Sequence, residues 1–100
     1  MIISPNGLTG KMKGWYRDQV YAVWNFRMAW KKEQDATDPK EKNKLALQMK
    51  KYGKKSEQHM IHGKALGLDD NKMKEFNLFL IREIKQGKDH RAIIRMLFKE

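Results

Sequence analysis

Apolar residues are concentrated in the stretch from Trp15 to Trp30, WYRDQVYAVWNFRMAW, which contains all three tryptophans and six of the ten aromatic residues. On a helix, its apolar side chains cover far more than one stripe, and only a narrow strip around Asp18 and Asn25 is polar. A helix that is apolar nearly all round is expected to be buried between other helices. The pattern therefore predicts a first helix, over about residues 11–34, that forms the centre of the fold.

The clearest helix start lies at residues 38–41. Asp38 can act as the N-cap, Pro39 suits the first helical position, and Glu41 stands where its side chain can reach back to the cap amide. These features predict a second helix over residues 39–62. One face of this helix is apolar and the opposite face is rich in lysine.

Two residues interrupt this amphipathic pattern. Gly53 lies in the middle of the second helix and costs roughly 1 kcal/mol relative to alanine, so a kink or a break is expected there. Leu47 falls among the lysines, where it has no place in the core.

Two further helices are marked by caps and glycine stops. The third is predicted over residues 70–86, with a cap among residues 69–71 and Gly87 as its C-terminal stop. Asp89 is then expected to cap a short last helix over residues 89–99. The predicted fold class is all-α, a compact bundle of about four helices around the aromatic first helix. Residues 11–100 are expected to form a single helical domain after a flexible N-terminal arm at residues 1–10.

The charge balance indicates the class of partner. Lys and Arg outnumber Asp and Glu by 22 to 12, a formal net charge of +10, which favours association with nucleic acid or another acidic surface. The chain has no cysteine, so it lacks a disulfide framework and thiolate chemistry. Its longest apolar run, Val20 to Trp24, is too short to cross a bilayer. We therefore expect a soluble cytoplasmic protein without a membrane partner.

The lysines of the second helix are the strongest candidates for a binding site. Between Lys40 and Lys64 there are eight lysines but only two acids, Glu41 and Glu57, so the face is not a balanced lattice of ion pairs. We name its central part the lysine stripe, which consists of Lys40, Lys44, Lys51, Lys54 and Lys55. Such a stripe would contact phosphates with little base preference. The alternative is an ordinary solvated helix face.

A second basic stripe, containing Arg91 and Arg95, lies on the last helix. The segment from Ile84 to Leu97 resembles the opening of a helix-turn-helix unit, in which a glycine turn precedes a helix with arginine and isoleucine at this spacing. In such a unit a recognition helix should follow this opening, and one hypothesis is that the helix from His90 to Lys99 is itself the one that enters a DNA groove. The alternative is a terminal helix that closes the core and has a solvated basic edge.

No pattern of catalytic residues is present, so we expect neither an enzyme nor a cofactor. His59 and His62 are three residues apart, but no cysteine or acidic cluster completes a metal site. The aromatic residues of the first helix are expected to be core. Their alternatives are a stacking platform for unpaired bases and a homodimer or partner interface.

The sequence thus predicts a small, basic, non-enzymatic protein that binds nucleic acid, with duplex DNA favoured over RNA, in a regulatory or architectural role. The predicted contacts are phosphate contacts from the lysine stripe, with Arg91 and Arg95 contributing. The alternative is an adaptor or inhibitor of the kind found in phages and mobile elements, whose basic or aromatic face docks on an acidic protein surface.

Overall fold

Residues 10–98, the part of the chain that the computed structural model describes, contain four α-helices joined by short connections. In chain order, the helices are α1 (Gly10–Asp35), α2 (Pro39–Ala65), α3 (Asp70–Lys85) and α4 (His90–Phe98). The all-α prediction is confirmed, and each predicted helix boundary lies within three residues of the observed one. The predicted arm lies outside the described residues except for Gly10, which begins α1.

The caps and stops follow the sequence closely. The Asp38 carboxylate accepts a hydrogen bond from the Lys40 amide at 3.2 Å. Asp69 caps α3 by accepting from the Lys72 amide at 2.7 Å, and Asp89 caps α4 by accepting from the Ala92 amide at 2.8 Å. Gly87 has φ +90°, the left-handed conformation that ends a helix. The break expected at Gly53 is wrong, because α2 continues through it.

α1 and α2 form a long antiparallel pair, and α3 and α4 cover part of it. Phe76 of α3 contacts the rings of Trp15 and Tyr16, with centroids 5.9 and 4.8 Å apart, respectively. α4 contributes Ile93 and Leu97, both completely buried. This core lies around the N-terminal half of α1.

The expectation that α1 is buried nearly throughout is only half correct. Trp15 and Val20 are buried, but Tyr21 is 47% exposed and Trp30 is 39% exposed. Tyr21 meets the rings of Tyr52 and His90 edge-on, and Trp30 lies beside a groove between α1 and the end of α3. At these two positions the neighbouring helices cover α1 only in part.

A polar network joins three helices inside the core. Gln19 of α1 is fully buried. Its amide nitrogen donates to Ser56 Oγ at 3.0 Å and to Asn77 Oδ1 at 2.8 Å, and its amide oxygen is 3.1 Å from His59 Nδ1. Within residues 10–98, every buried side-chain nitrogen and oxygen has a hydrogen-bond partner. The network fixes the register of α1 against α2 and α3.

Candidate functional site

The lysine stripe lies on the outer side of one continuous helix. All five of its lysines are exposed, and from Lys40 to Lys55 the helix axis extends about 22 Å. Along B-DNA, one strand presents about six phosphates over that distance. The stripe therefore has the length of a short segment of nucleic-acid backbone.

Packing of the opposite side of α2 explains why the lysines face outward. Leu45 is buried, and Met49 and Ser56 are half-buried where α2 lies against α1. Residues three, four and seven apart share a face of a helix, so burying these residues turns the stripe towards solvent. The two faces predicted for this helix are confirmed.

The positive charge of the stripe is not neutralised within the described part of the chain. Lys64 forms an ion pair with Asp70 at 3.1 Å, and Lys88 forms one with Glu83. Among residues 10–98, no carboxylate lies within ion-pair distance of a lysine of the stripe. Their mutual repulsion disfavours the free state, and a bound polyanion would relieve it.

Two aliphatic side chains lie on the same face as the stripe. Leu47 is 68% exposed and Ile61 is 72% exposed. They are 14 residues apart with Lys54 midway between them, which places all three on one line along the helix. The prediction that Leu47 has no place in the core is confirmed.

Tyr52 lies at the edge of the stripe. The ammonium groups of Lys51 and Lys55 are 5.6 and 5.5 Å from the centre of its ring, which is cation–π distance. Its ring meets that of Tyr21 edge-on, with centroids 6.2 Å apart. Desolvation, followed by the charge of Tyr21 and a hydrogen bond with it, raises the pKa of Tyr52 above its ordinary value. Two lysines of the stripe thus lie against an aromatic pair.

The same aromatic pair brings α4 close to one end of the stripe. The His90 ring contacts Tyr21 at 5.8 Å and Trp24 at 4.9 Å. Arg91 follows directly and is exposed, as is Arg95 one turn later. Of the two arginines, Arg91 directly follows the residue that contacts Tyr21, whereas Lys40 is about 18 Å from Tyr52 along α2.

The rings of Tyr21, Tyr52 and His90 connect α1, α2 and α4. None of these three residues was among the predicted site residues. Tyr52 falls on the face of α2 that the sequence predicts to be apolar. A tyrosine at the boundary of an apolar face, one and three residues from two lysines, is the signal that could have identified it, because tyrosine presents an apolar body and a polar tip. No comparable signal marks Tyr21 or His90, because their contacts join different helices.

The histidines have different surroundings. His59 is part of the Gln19 network through Nδ1, and its backbone carbonyl accepts a hydrogen bond from the Trp15 indole. Burial lowers the pKa of His59, with Asp18 opposing this and Lys55 and His62 adding to it. His62 is exposed. Residues 10–98 contain no group of three or more His, Asp or Glu side chains arranged to hold a metal ion.

Among residues 10–98, no helix is both long enough and apolar enough to cross a lipid bilayer.

The candidate basic residues thus lie on α2 and α4, and the rings of Tyr52, Tyr21 and His90 connect these two helices. No protein-family model, curated protein sequence or solved structure matches the chain.

Proposed function

We propose that this protein binds duplex DNA through phosphate contacts made by the lysine stripe, with Arg91 and Arg95 contributing. One observation carries the proposal: five exposed lysines on one face of an unbroken helix have no carboxylate partner within residues 10–98. Lysine is a flexible point charge that reaches phosphate oxygens without reading base edges. The role that follows is regulatory or architectural, with little sequence preference.

The number of lysines determines the expected salt dependence. Neutralising about five duplex phosphates gives a slope near −4.5 for the logarithm of affinity against the logarithm of salt concentration. Between about 50 and 200 mM salt, the affinity should then fall by roughly two to three orders of magnitude. Single-stranded DNA should give a shallower slope, since its phosphates are more widely spaced.

A mobility-shift titration with duplex DNA, single-stranded DNA and RNA tests the proposal. The test variant replaces Lys44, Lys51 and Lys55 with alanine. The matched control replaces Lys32, Lys72 and Lys74, which are also exposed and helical but lie off the stripe. We expect duplex binding that weakens strongly in the test variant and little in the control. Absence of salt-sensitive binding, or equal losses in both variants, would contradict the proposal.

A protein-docking function is the second candidate, favoured by the exposed Leu47 and Ile61. Aliphatic side chains add nothing to a phosphate contact but contribute to the centre of a protein interface. Replacing both residues with serine separates the two functions. DNA affinity should be unchanged if the face contacts phosphates, whereas binding to an acidic protein surface should be lost.

A further inference from the structure

A groove separates the C-terminal half of α1 from α3. Its larger part has a volume of about 460 Å³ and is lined by the following residues: Arg27, Met28, Trp30, Lys31, Ile84 and Lys85. A second part of about 250 Å³ adjoins it, because Arg27 lines both. Phe26 and Ile81 form walls of this second part, and Gly53 of α2 also lines it. The two helices thus leave an elongated, mainly apolar space between them.

The charged side chains of the groove all have one sign. Arg27, Lys31 and Lys85 contribute three cations to the larger part. No carboxylate is among the residues that line either part. An occupant must therefore supply apolar side chains for the walls and negative charge for the rim.

Trp30 and Arg27 form the centre of this surface. The Arg27 guanidinium lies 4.6 Å from the centre of the Trp30 ring, a cation–π contact that covers one face of the indole. Tryptophan and arginine are the residues most enriched at energetically dominant positions of protein interfaces. A nucleic-acid backbone would find cations here, but it could not use the apolar walls formed by Met28 and Ile84.

A second copy of the chain is a poor occupant, since its net charge of +10 would meet three cations. From Val23 to Lys31, the α1 side of the groove extends about 12 Å, or roughly two helical turns. Two apolar anchors three or four residues apart on a helix would fit its two parts. We infer that this groove binds an acidic amphipathic helical segment of a partner protein, independently of the lysine stripe.

A random peptide library displayed against the full chain tests the inference. Peptides of about twelve residues, roughly three helical turns, are selected at about 150 mM salt, where distant exposed charges are screened. Enriched peptides should carry Asp or Glu around two apolar residues spaced three or four apart. The affinity of a selected peptide should fall at least about tenfold in Trp30→Ala, a change of about 1.4 kcal/mol in binding free energy.

The controls separate this groove from other surfaces. Tyr21→Ala removes another exposed aromatic residue of α1 that does not line the groove, and it should keep peptide affinity. The Lys44, Lys51 and Lys55 triple alanine variant should keep it as well. If Trp30→Ala fails to fold, as judged by circular dichroism, the double charge reversal Lys31→Glu with Lys85→Glu should also abolish binding of the acidic peptide.

Four outcomes would overturn the inference. They are an absence of enriched peptides, enrichment of peptides without acidic residues, equal losses in Tyr21→Ala and Trp30→Ala, and a dimer in light scattering that Trp30→Ala converts to a monomer. The last result would assign the groove to a second copy of the chain. Failure of DNA binding would leave the inference intact, because the peptide assay contains no nucleic acid.

Discussion

Gly63 of α2 lies so close to Trp15 that a Cβ atom at this position would be 2.9 Å from the indole Nε1. The same Cβ would be 2.7 Å from the sulfur of Met73. The methionine side chain is flexible and can move away, but the indole is held by its hydrogen bond to the His59 carbonyl. Gly63 therefore lies where α1, α2 and α3 pack closely against one another.

Gly63→Ala should lower the free energy of unfolding, and Gly53→Ala should raise it. Overpacking a core typically costs about 1 to 3 kcal/mol, so for Gly63→Ala we expect a net loss of about 1 to 2 kcal/mol. A Cβ at Gly53 would lie 3.6 Å from the Phe26 ring, an ordinary contact, and alanine is favoured by up to about 1 kcal/mol within a helix. Urea unfolding of both variants measures the two effects. If both variants change the free energy of unfolding by the same amount, the close packing at Gly63 does not resist an added methyl group, and the prediction is wrong.

Gln19→Leu should destabilise the fold although leucine is apolar and of similar size. The substitution leaves Asn77 Oδ1 and His59 Nδ1 without their Gln19 partner in a partly buried setting. Each unsatisfied buried polar group costs roughly 1 to 3 kcal/mol, so we expect a loss of about 2 kcal/mol or more in thermal or urea unfolding. The control is Gln34→Ala, at an exposed position, which should change stability by less than about 0.5 kcal/mol. A neutral Gln19→Leu would show that the network does not stabilise the core.

His59 should make stability depend on pH. Burial holds the pKa of His59 below the value of 6.5 that applies in the unfolded chain, so between these two values the unfolded chain binds more protons. The free energy of unfolding therefore contains the full contribution of His59 above pH 6.5. This contribution decreases as the pH falls below 6.5 and stops changing below the pKa of His59 in the folded chain.

Unfolding free energies at about pH 7.5 and about pH 5 measure this contribution. In His59→Gln, whose amide can still donate to the Gln19 oxygen, the loss of stability on acidification should be smaller than in the native chain. His62→Gln, at an exposed position, should retain most of the loss. If His59→Gln and the native chain respond alike, the account of this histidine is wrong.

The sequence was sufficient to predict the helices and the orientation of the lysine stripe, because caps, glycine stops and helical periodicity are local signals. The buried network was missed although each helix carries a sign of it. Gln19, Ser56 and Asn77 each interrupt an apolar arc, and only the packing of three helices shows that these interruptions meet. The groove beside Trp30 could not be predicted from the sequence either, because it depends on how far α3 extends along α1.

The central claim is that the lysine stripe contacts the phosphates of duplex DNA. Fluorescence anisotropy with a labelled duplex, measured across a series of salt concentrations, tests it most directly. The native chain should give a slope near −4.5, and the Lys44, Lys51 and Lys55 triple alanine variant should give a slope shallower by about 2.7, which corresponds to three lost phosphate contacts. The control at Lys32, Lys72 and Lys74 should keep the native slope. A native slope near zero, or a slope that the triple variant leaves unchanged, would contradict the claim.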